Sequence, residues 1–170
     1  MNSRNDRAFD IVVCGATGFT GELVAEYLAE GADAGTRWAI AGRDKAKLEA
    51  VHGRLGLSSD VAILIADSTD TDALRSLVAQ TKVICTTVGP YAQLGTALLK
   101  ACAEGGTDYC DLTGEVQWMS AVFDAVNPVA QKSGARLVHC CGFDSIPFDL
   151  GVFVAQEAMH ERFGVYAHHV

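Results

Sequence analysis

The chain has 170 residues, 49% of them hydrophobic and 20% charged, with a formal net charge of −8 at pH 7. That length is one ordinary domain with room for a proper core, and the composition is globular rather than disordered. The acidic balance argues against a nucleic-acid binder, which needs a basic face, and no apolar run approaches the roughly 20 residues of a membrane helix.

Residues 1–8 are polar and carry no apolar stretch that would read as a secretory signal, so a flexible lead-in and a cytoplasmic protein are expected. Residues 9–14, FDIVVC, are an apolar, β-branched run that predicts a strand. Gly15, Ala16, Thr17, Gly18, Phe19, Thr20 and Gly21 follow, with glycines three apart, and Phe19, Leu23, Val24, Tyr27 and Leu28 then recur at helical spacing. Strand, tight turn and helix in that order predict the opening unit of a dinucleotide-binding fold. In that reading Gly18 lets the backbone approach a pyrophosphate, and Gly21 lets the helix lie close to the strand. The N–H groups of the first helical turn face the phosphates, with the hydroxyls of Thr17 and Thr20 as further donors. The plainer alternative is a tight turn between two packed elements. No Gly-Lys-Ser/Thr follows, which argues against a P-loop.

A second strand is expected over residues 37–41, ending at Gly42-Arg43-Asp44. The end of this strand meets the adenosine ribose in dinucleotide folds, where a carboxylate suits NAD and a basic residue suits the 2′-phosphate of NADP. Arg43 lies 22 residues beyond Gly21, and Gly42-Arg43 there favours NADP, with Asp44 capping the next helix. Strand three covers 61–65, and after it Asp67 either accepts from the adenine amino group or starts a turn into a helix over 70–79. Strand four covers 82–88, and Val88, Gly89, Pro90 and Tyr91 border the cofactor crevice at its end. Tyr91 is expected at the mouth of that site, packing on the cofactor or donating a proton.

A helix over 94–102, a fifth strand over 107–112, a helix bearing Val116, Met119, Val122, Phe123 and Val126, and a sixth strand over 135–140 complete the alternation. Glu115 reads as a capping partner in a first helical turn rather than a site carboxylate. His139 reads as a satisfied strand residue rather than a base. Cys14, Cys85 and Cys140 lie in apolar runs and read as small hydrophobes, and without a Cys-x-x-Cys pair no metal site is expected. Asp144 is placed beside the site by position alone, and an apolar helix follows it, with Ser145 as N-cap and Pro147 in its first turn. The fold class is therefore α/β, a Rossmann-like, doubly wound, mostly parallel six-stranded sheet with helices on both faces over 9–155. Short-chain reductases also open with Gly-Ala-Thr-Gly, but Tyr27, Tyr91, Tyr109 and Tyr166 all lack the lysine four residues on that those enzymes need.

Taken in order, GATGFTG at 15–21, AGR at 41–43, VGPY at 88–91, YCDLTGE at 109–115 and GFDSIP at 142–147 resemble one family. It is the NADP-binding domain of saccharopine dehydrogenase-like oxidoreductases, with most similarity to the mycobacterial-type trans-acting enoyl reductase branch. The family usually has Ser where Phe148 stands. The resemblance implies NADPH as cofactor and hydride transfer to an activated C=C of an enoyl or polyketide chain carried by a separate synthase, or to a C=N. Family members continue into a further domain that supplies substrate contacts and often dimer contacts, so residues 156–170 read as the start of a missing substrate domain. Tyr91 and Asp144 are the candidate proton donors. The rival reading is a non-enzymatic module that senses NADP(H) and reports to a protein partner.

Overall fold

Val12 and Val13 are adjacent in the chain, face opposite sides of one strand, and are both fully buried. Only a central strand covered on both faces produces that pattern. The computed structural model describes residues 6–169. It runs β1 (Phe9–Cys14), α1 (Phe19–Gly31), β2 (Trp38–Gly42), α2 (Lys45–Arg54), β3 (Ala62–Ile65), α3 (Thr71–Ala79), β4 (Thr81–Thr86), α4 (Tyr91–Leu94), α5 (Thr96–Gly105), β5 (Asp108–Asp111), α6 (Val116–Ser133), β6 (Leu137–Val138) and α7 (Ile146–Phe163). The six strands form one sheet in the order β3-β2-β1-β4-β5-β6, every pair parallel. This is the expected doubly wound architecture. Chain direction switches between β1 and β4, which opens a crevice at the carboxyl ends of those strands.

Two apolar layers sandwich the sheet. Val13, Ile40, Ala25 of α1 and Leu48 of α2 share one. Val12, Ile84, Tyr109 and the inner faces of α3, α5 and α6 share the other.

The helix faces differ from the periodicity reading in two places. On α1 it is Gly21 and Ala25 that are buried, with Val24 and Leu28 half-buried, while Phe19, Leu23 and Tyr27 face outward. The small residues win because the helix lies so close to β1 that larger side chains do not fit beneath it. On α6 the buried row is Trp118, Val122, Val126 and Ala130, and Val116 and Phe123 are exposed.

Strand six is shorter than expected. After Val138 the Cys140 backbone turns to φ +60, and the Cys140 and Cys141 N–H groups donate to Asp111 rather than continuing a ladder. The helix expected over 94–102 is α5, and the short α4 precedes it; the break between them falls at Gly95, where a Cβ would stand 2.9 Å from the Tyr91 carbonyl oxygen.

The first five residues of the expected flexible lead-in lie outside the described residues. Arg7, at its end, is buried instead. Its guanidinium donates to the carbonyl oxygens of Thr81 (2.6 Å) and Gly105 (2.7 Å) and to Thr107 Oγ1 (2.5 Å), which locks the start of β1 to the amino ends of β4 and β5. At the other end, α7 has no buried side chain: Phe148, Leu150, Phe153 and Val154 all face outward. The Gln156 side-chain amide exchanges two hydrogen bonds with the backbone of Ala167, folding the last turn back onto the helix.

Candidate cofactor site

A cleft of about 280 Å3 lies at the carboxyl ends of β1, β2 and β4. Gly15, Thr17 and Gly18 line it from the β1–α1 loop, Gly42 and Arg43 from the end of β2, and Thr87, Val88 and Gly89 from the segment after β4. The loop is pinned on both sides: the Gly15 N–H donates to the Ala41 carbonyl oxygen at 2.9 Å, and the Thr87 N–H to that of Cys14 at 3.0 Å.

The glycines of the loop do different things. Gly15 takes φ +87, and a Cβ there would stand 2.7 Å from Thr87 Oγ1 and 2.9 Å from Val88 Cγ2. Gly21 is the tightest, since its Cβ would lie 2.1 Å from the Gly15 carbonyl oxygen. Gly18, by contrast, has ordinary extended backbone, and its Cβ would meet only the Gly15 oxygen at 3.4 Å. What a Cβ at Gly18 would occupy is open cleft. Gly18 is also the N-cap of α1 and caps nothing with a side chain. The first-turn N–H groups and the positive end of the helix thus face a cavity shaped for close backbone approach, the arrangement that holds a pyrophosphate. The residues present fit a dinucleotide.

Among the described residues, Arg43 is the one charged residue on the cleft wall, in a chain of net charge −8. Its guanidinium is exposed and makes no ion pair among the described residues. Asp44, beside it, accepts from the Lys47 N–H at 3.1 Å and caps α2. Asp67 is committed to its own turn, accepting from the Thr69 hydroxyl (2.6 Å) and the Thr69 N–H (2.8 Å). Those bonds, with a smaller contribution from the Arg43 charge, hold its carboxyl below the usual range. The cleft wall at the end of β3 is built from Ala66 and Ser68 instead.

Other expected site residues lie off the wall. Ala16 is fully buried in the core beneath the loop, Phe19 and Thr20 are exposed on the first turn of α1, and Pro90 is the exposed N-cap of α4. Tyr91 does not stand at the mouth. It is 5% exposed, its ring stacks on Trp118 at 5.6 Å, and its hydroxyl donates to the Thr86 carbonyl oxygen at 3.0 Å and accepts from the Leu112 N–H at 3.4 Å. Burial pushes its phenol up to about 12. Its hydroxyl stitches the ends of β4 and β5 together. Asp144 is exposed in the turn before α7 and is not among the residues that line the cleft.

One cluster falls outside the sequence reading. At the carboxyl end of β5 the fully buried Asp111 side chain accepts from the Tyr109 hydroxyl (2.8 Å), and its Oδ2 lies 2.7 Å from His139 Nδ1. His139 sits just past β6, not within it. No short-range spacing could have shown this pair, because it depends on the register between two strands. Cys14 behaves as expected of a small hydrophobe, its thiol pushed up to about 12 by burial.

A parallel, doubly wound sheet with a glycine-walled cleft at its switch point and a helix amino end facing that cleft defines a dinucleotide-binding domain. The match to known proteins narrows the class: the family described as saccharopine dehydrogenase NADP binding domain matches residues 11–138. The chain belongs to that family, and NADP(H) is its cofactor. Among curated relatives, the trans-acting enoyl reductase of Mycobacterium ulcerans (strain Agy99) is 46% identical over 151 residues, 88% of this chain and 36% of that protein. The trans-acting enoyl reductase of Mycobacterium bovis (strain BCG / Pasteur 1173P2) is 44% identical over 149 residues, 87% of this chain and 35% of that protein. The chain thus spans just over a third of the length of the relatives it matches. Apo saccharopine dehydrogenase (L-Glu forming) from Saccharomyces cerevisiae shares the fold with a TM-score of 0.73 at 22% identity, covering 92% of this chain and 32% of that one. A leucoanthocyanidin reductase from Vitis vinifera, solved in a binary complex with NADPH, gives 0.54 at 19% identity, covering 76% of this chain and 48% of that one.

Proposed function

We propose that the chain is the cofactor-binding part of an NADPH-dependent reductase acting on the activated C=C of an enoyl chain. The observation that carries the cofactor half of this reading is Arg43 as the lone charge, among the described residues, on a glycine-rich cleft wall. A forked guanidinium at the end of β2 matches a 2′-phosphate and gives an unphosphorylated ribose nothing comparable. Gly15, Thr17 and Gly18 hold the pyrophosphate, and Val88 and Gly89 leave room for the nicotinamide end. Bound NADPH supplies hydride. The enoyl substrate class, and with it a carrier-bound acyl chain, is supported by the relatives' name, trans-acting enoyl reductase. On this reading residues 156–170 lead into further chain of the kind the longer relatives carry, which completes the substrate pocket and any dimer contact.

The test is a titration of this chain with NADPH and with NADH, in wild type and Arg43→Ala. Wild type is expected to saturate with NADPH well ahead of NADH. The variant loses NADPH affinity by about tenfold, the worth of one charge-assisted contact, and leaves NADH nearly unchanged. Equal losses for both cofactors would remove Arg43 from the 2′-phosphate, and no saturation by either would overturn the reading.

A further inference from the structure

We propose that His139, oriented by Asp111, is the proton donor that complements hydride delivery. This rests on the reductase reading above.

Asp111 is a buried carboxylate with a full set of donors. Its Oδ2 takes Tyr109 and His139, and its Oδ1 accepts the N–H groups of Thr113 and Cys140, both at 3.1 Å. A carboxylate only accepts, so His139 Nδ1 carries a proton and Nε2 is the working end of the ring. Nε2 makes no hydrogen bond among the described residues, yet it is not sealed in, since the His139 side chain is 20% exposed. The ring is held edge-on by Trp118 at 5.2 Å and by Tyr109 at 5.8 Å. A bound, oriented Nδ1 and a free Nε2 open to solvent are what a proton donor requires.

The position agrees. Asp111 is the register partner of Thr86, which lines the cleft. Val138, one residue before His139, is the partner of Cys110. The His139 position therefore lies two strands from β4, roughly 10 Å, and on the opposite side of β1 from Arg43. With the adenosine end at β2, the reducing end points toward β4, and a substrate seated beyond it reaches the ends of β5 and β6. Tyr91 offers no competing donor, because its hydroxyl is spent between Thr86 and Leu112.

The step balances. Hydride supplied by NADPH would break a C–H bond of the reduced nicotinamide, leaving NADP+, and form the new C–H bond at the β-carbon of an α,β-unsaturated acyl thioester, the π pair moving toward the α-carbon as an enolate. The Nε2–H bond of the imidazolium breaks, and its proton forms the C–H bond at the α-carbon. The imidazole is left neutral, with Nδ1–H still on Asp111, and regains its proton from solvent. The titratable groups facing the ring are Asp111 and Tyr109 of β5, while on its own segment the Cys140 thiol turns to Met119 and the Cys141 thiol to the Val138 and His139 carbonyl oxygens. From α6 the facing group is the Trp118 indole.

The experiment is histidine-selective nitrogen NMR of this chain saturated with NADPH and then with NADP+. His139 is expected to keep its Nδ1 proton both in the imidazolium that donates and in the neutral imidazole left behind, and its Nε2 and Cε1–H resonances move between the two complexes, because the nicotinamide gains a positive charge nearby. His52, bonded at 3.1 Å to the Val61 carbonyl oxygen between α2 and β3, serves as the internal control and stays put. A histidine that merely locks β5 to β6 would show the tautomer but not the redox-dependent shift. Saturation by both cofactors with coincident His139 resonances overturns the proposal, as does an Nε2–H tautomer. Saturation by neither overturns the reductase reading beneath it. Asp111→Asn is expected to abolish the tautomer preference of His139. The wild-type comparison decides the question whether or not that variant folds.

Discussion

Glu115 and Tyr91 are 24 residues apart, yet the Glu115 carboxylate accepts the Tyr91 N–H at 2.7 Å and the neighbouring Ala92 N–H at 2.9 Å. The N-cap residue of α6 thereby caps α4 instead of its own helix. Glu115→Ala is expected to cost about 1–2 kcal/mol, since it leaves two helix-end donors without a partner and removes an ionised acceptor. Glu115→Gln keeps one acceptor oxygen and should cost about half as much. Urea unfolding of the two variants measures the difference, and equal stability of wild type and Glu115→Ala would show that water replaces the clamp.

Tyr91→Phe separates a structural phenol from a chemical one. The hydroxyl bridges Thr86 and Leu112 in the interior, so its loss should cost about 1–2 kcal/mol and leave NADPH affinity unchanged. A wild-type melting curve combined with weakened NADPH binding would reverse that assignment.

Gly18 and Gly21 should fail in opposite ways. Gly21→Ala drives a Cβ into the Gly15 backbone, so the loop and α1 must part, with a loss of several kcal/mol expected from overpacking. Gly18→Ala should keep the wild-type melting temperature and weaken NADPH by tenfold or more, because its methyl fills only the space the pyrophosphate needs. Thermal melts and cofactor titrations on both variants give the crossed pattern or deny it.

Asp10 makes acid stability testable. Its carboxylate takes the Arg37 guanidinium and N–H and, at 2.7 Å, the Lys82 ammonium, tying the starts of β1, β2 and β4. The Arg37 side chain first, then Lys82, holds it well below the usual carboxylate range. A depressed folded value means the stabilisation is fully present above the unfolded pKa, near 3.9, and is lost as pH falls below it. Asp10→Asn should therefore cost about 1 kcal/mol at pH 7, a modest figure because Arg37 is half-exposed. The gap to wild type should begin to narrow below the unfolded value and close only as pH falls through the much lower folded one. A gap that stays constant across that range would show that the loss is not electrostatic.

The fold was legible in the chain because its signals are local. Residues 9–21 carry a strand period, a glycine spacing and a helix period within one short stretch, and Arg43 follows at the distance one strand–helix–strand unit sets. The helix faces were less legible. On α1 the glycine and alanine that let it lie close to β1 are invisible to a hydrophobic-period argument, which favours the bulky residues left outside. The partners of Tyr91, Glu115 and His139 are illegible for a different reason: Glu115 is the capping partner expected of it, but of α4 and not α6, and His139 is satisfied as expected, but just past β6. Each has a partner more than 20 residues away, brought in only by the register of β4, β5 and β6, so no spacing rule could assign their hydrogen bonds. Asp67 was undecided between base and turn, and the hydroxyl and N–H of Thr69, two residues on, claim it.

The bare face of α7 sets how this chain behaves in a test tube. Outward-facing Phe148, Leu150, Phe153 and Val154 leave adhesive apolar surface around the helix, while a net charge of −8 keeps copies apart. The two effects respond differently to electrolyte. Added salt shortens the reach of the repulsion to roughly 8 Å at physiological strength and leaves the adhesion intact. Dilute, low-salt, near-neutral buffer is therefore the medium in which single copies persist, and acidification toward the isoelectric point of about 4.9 is the quickest way to precipitate them.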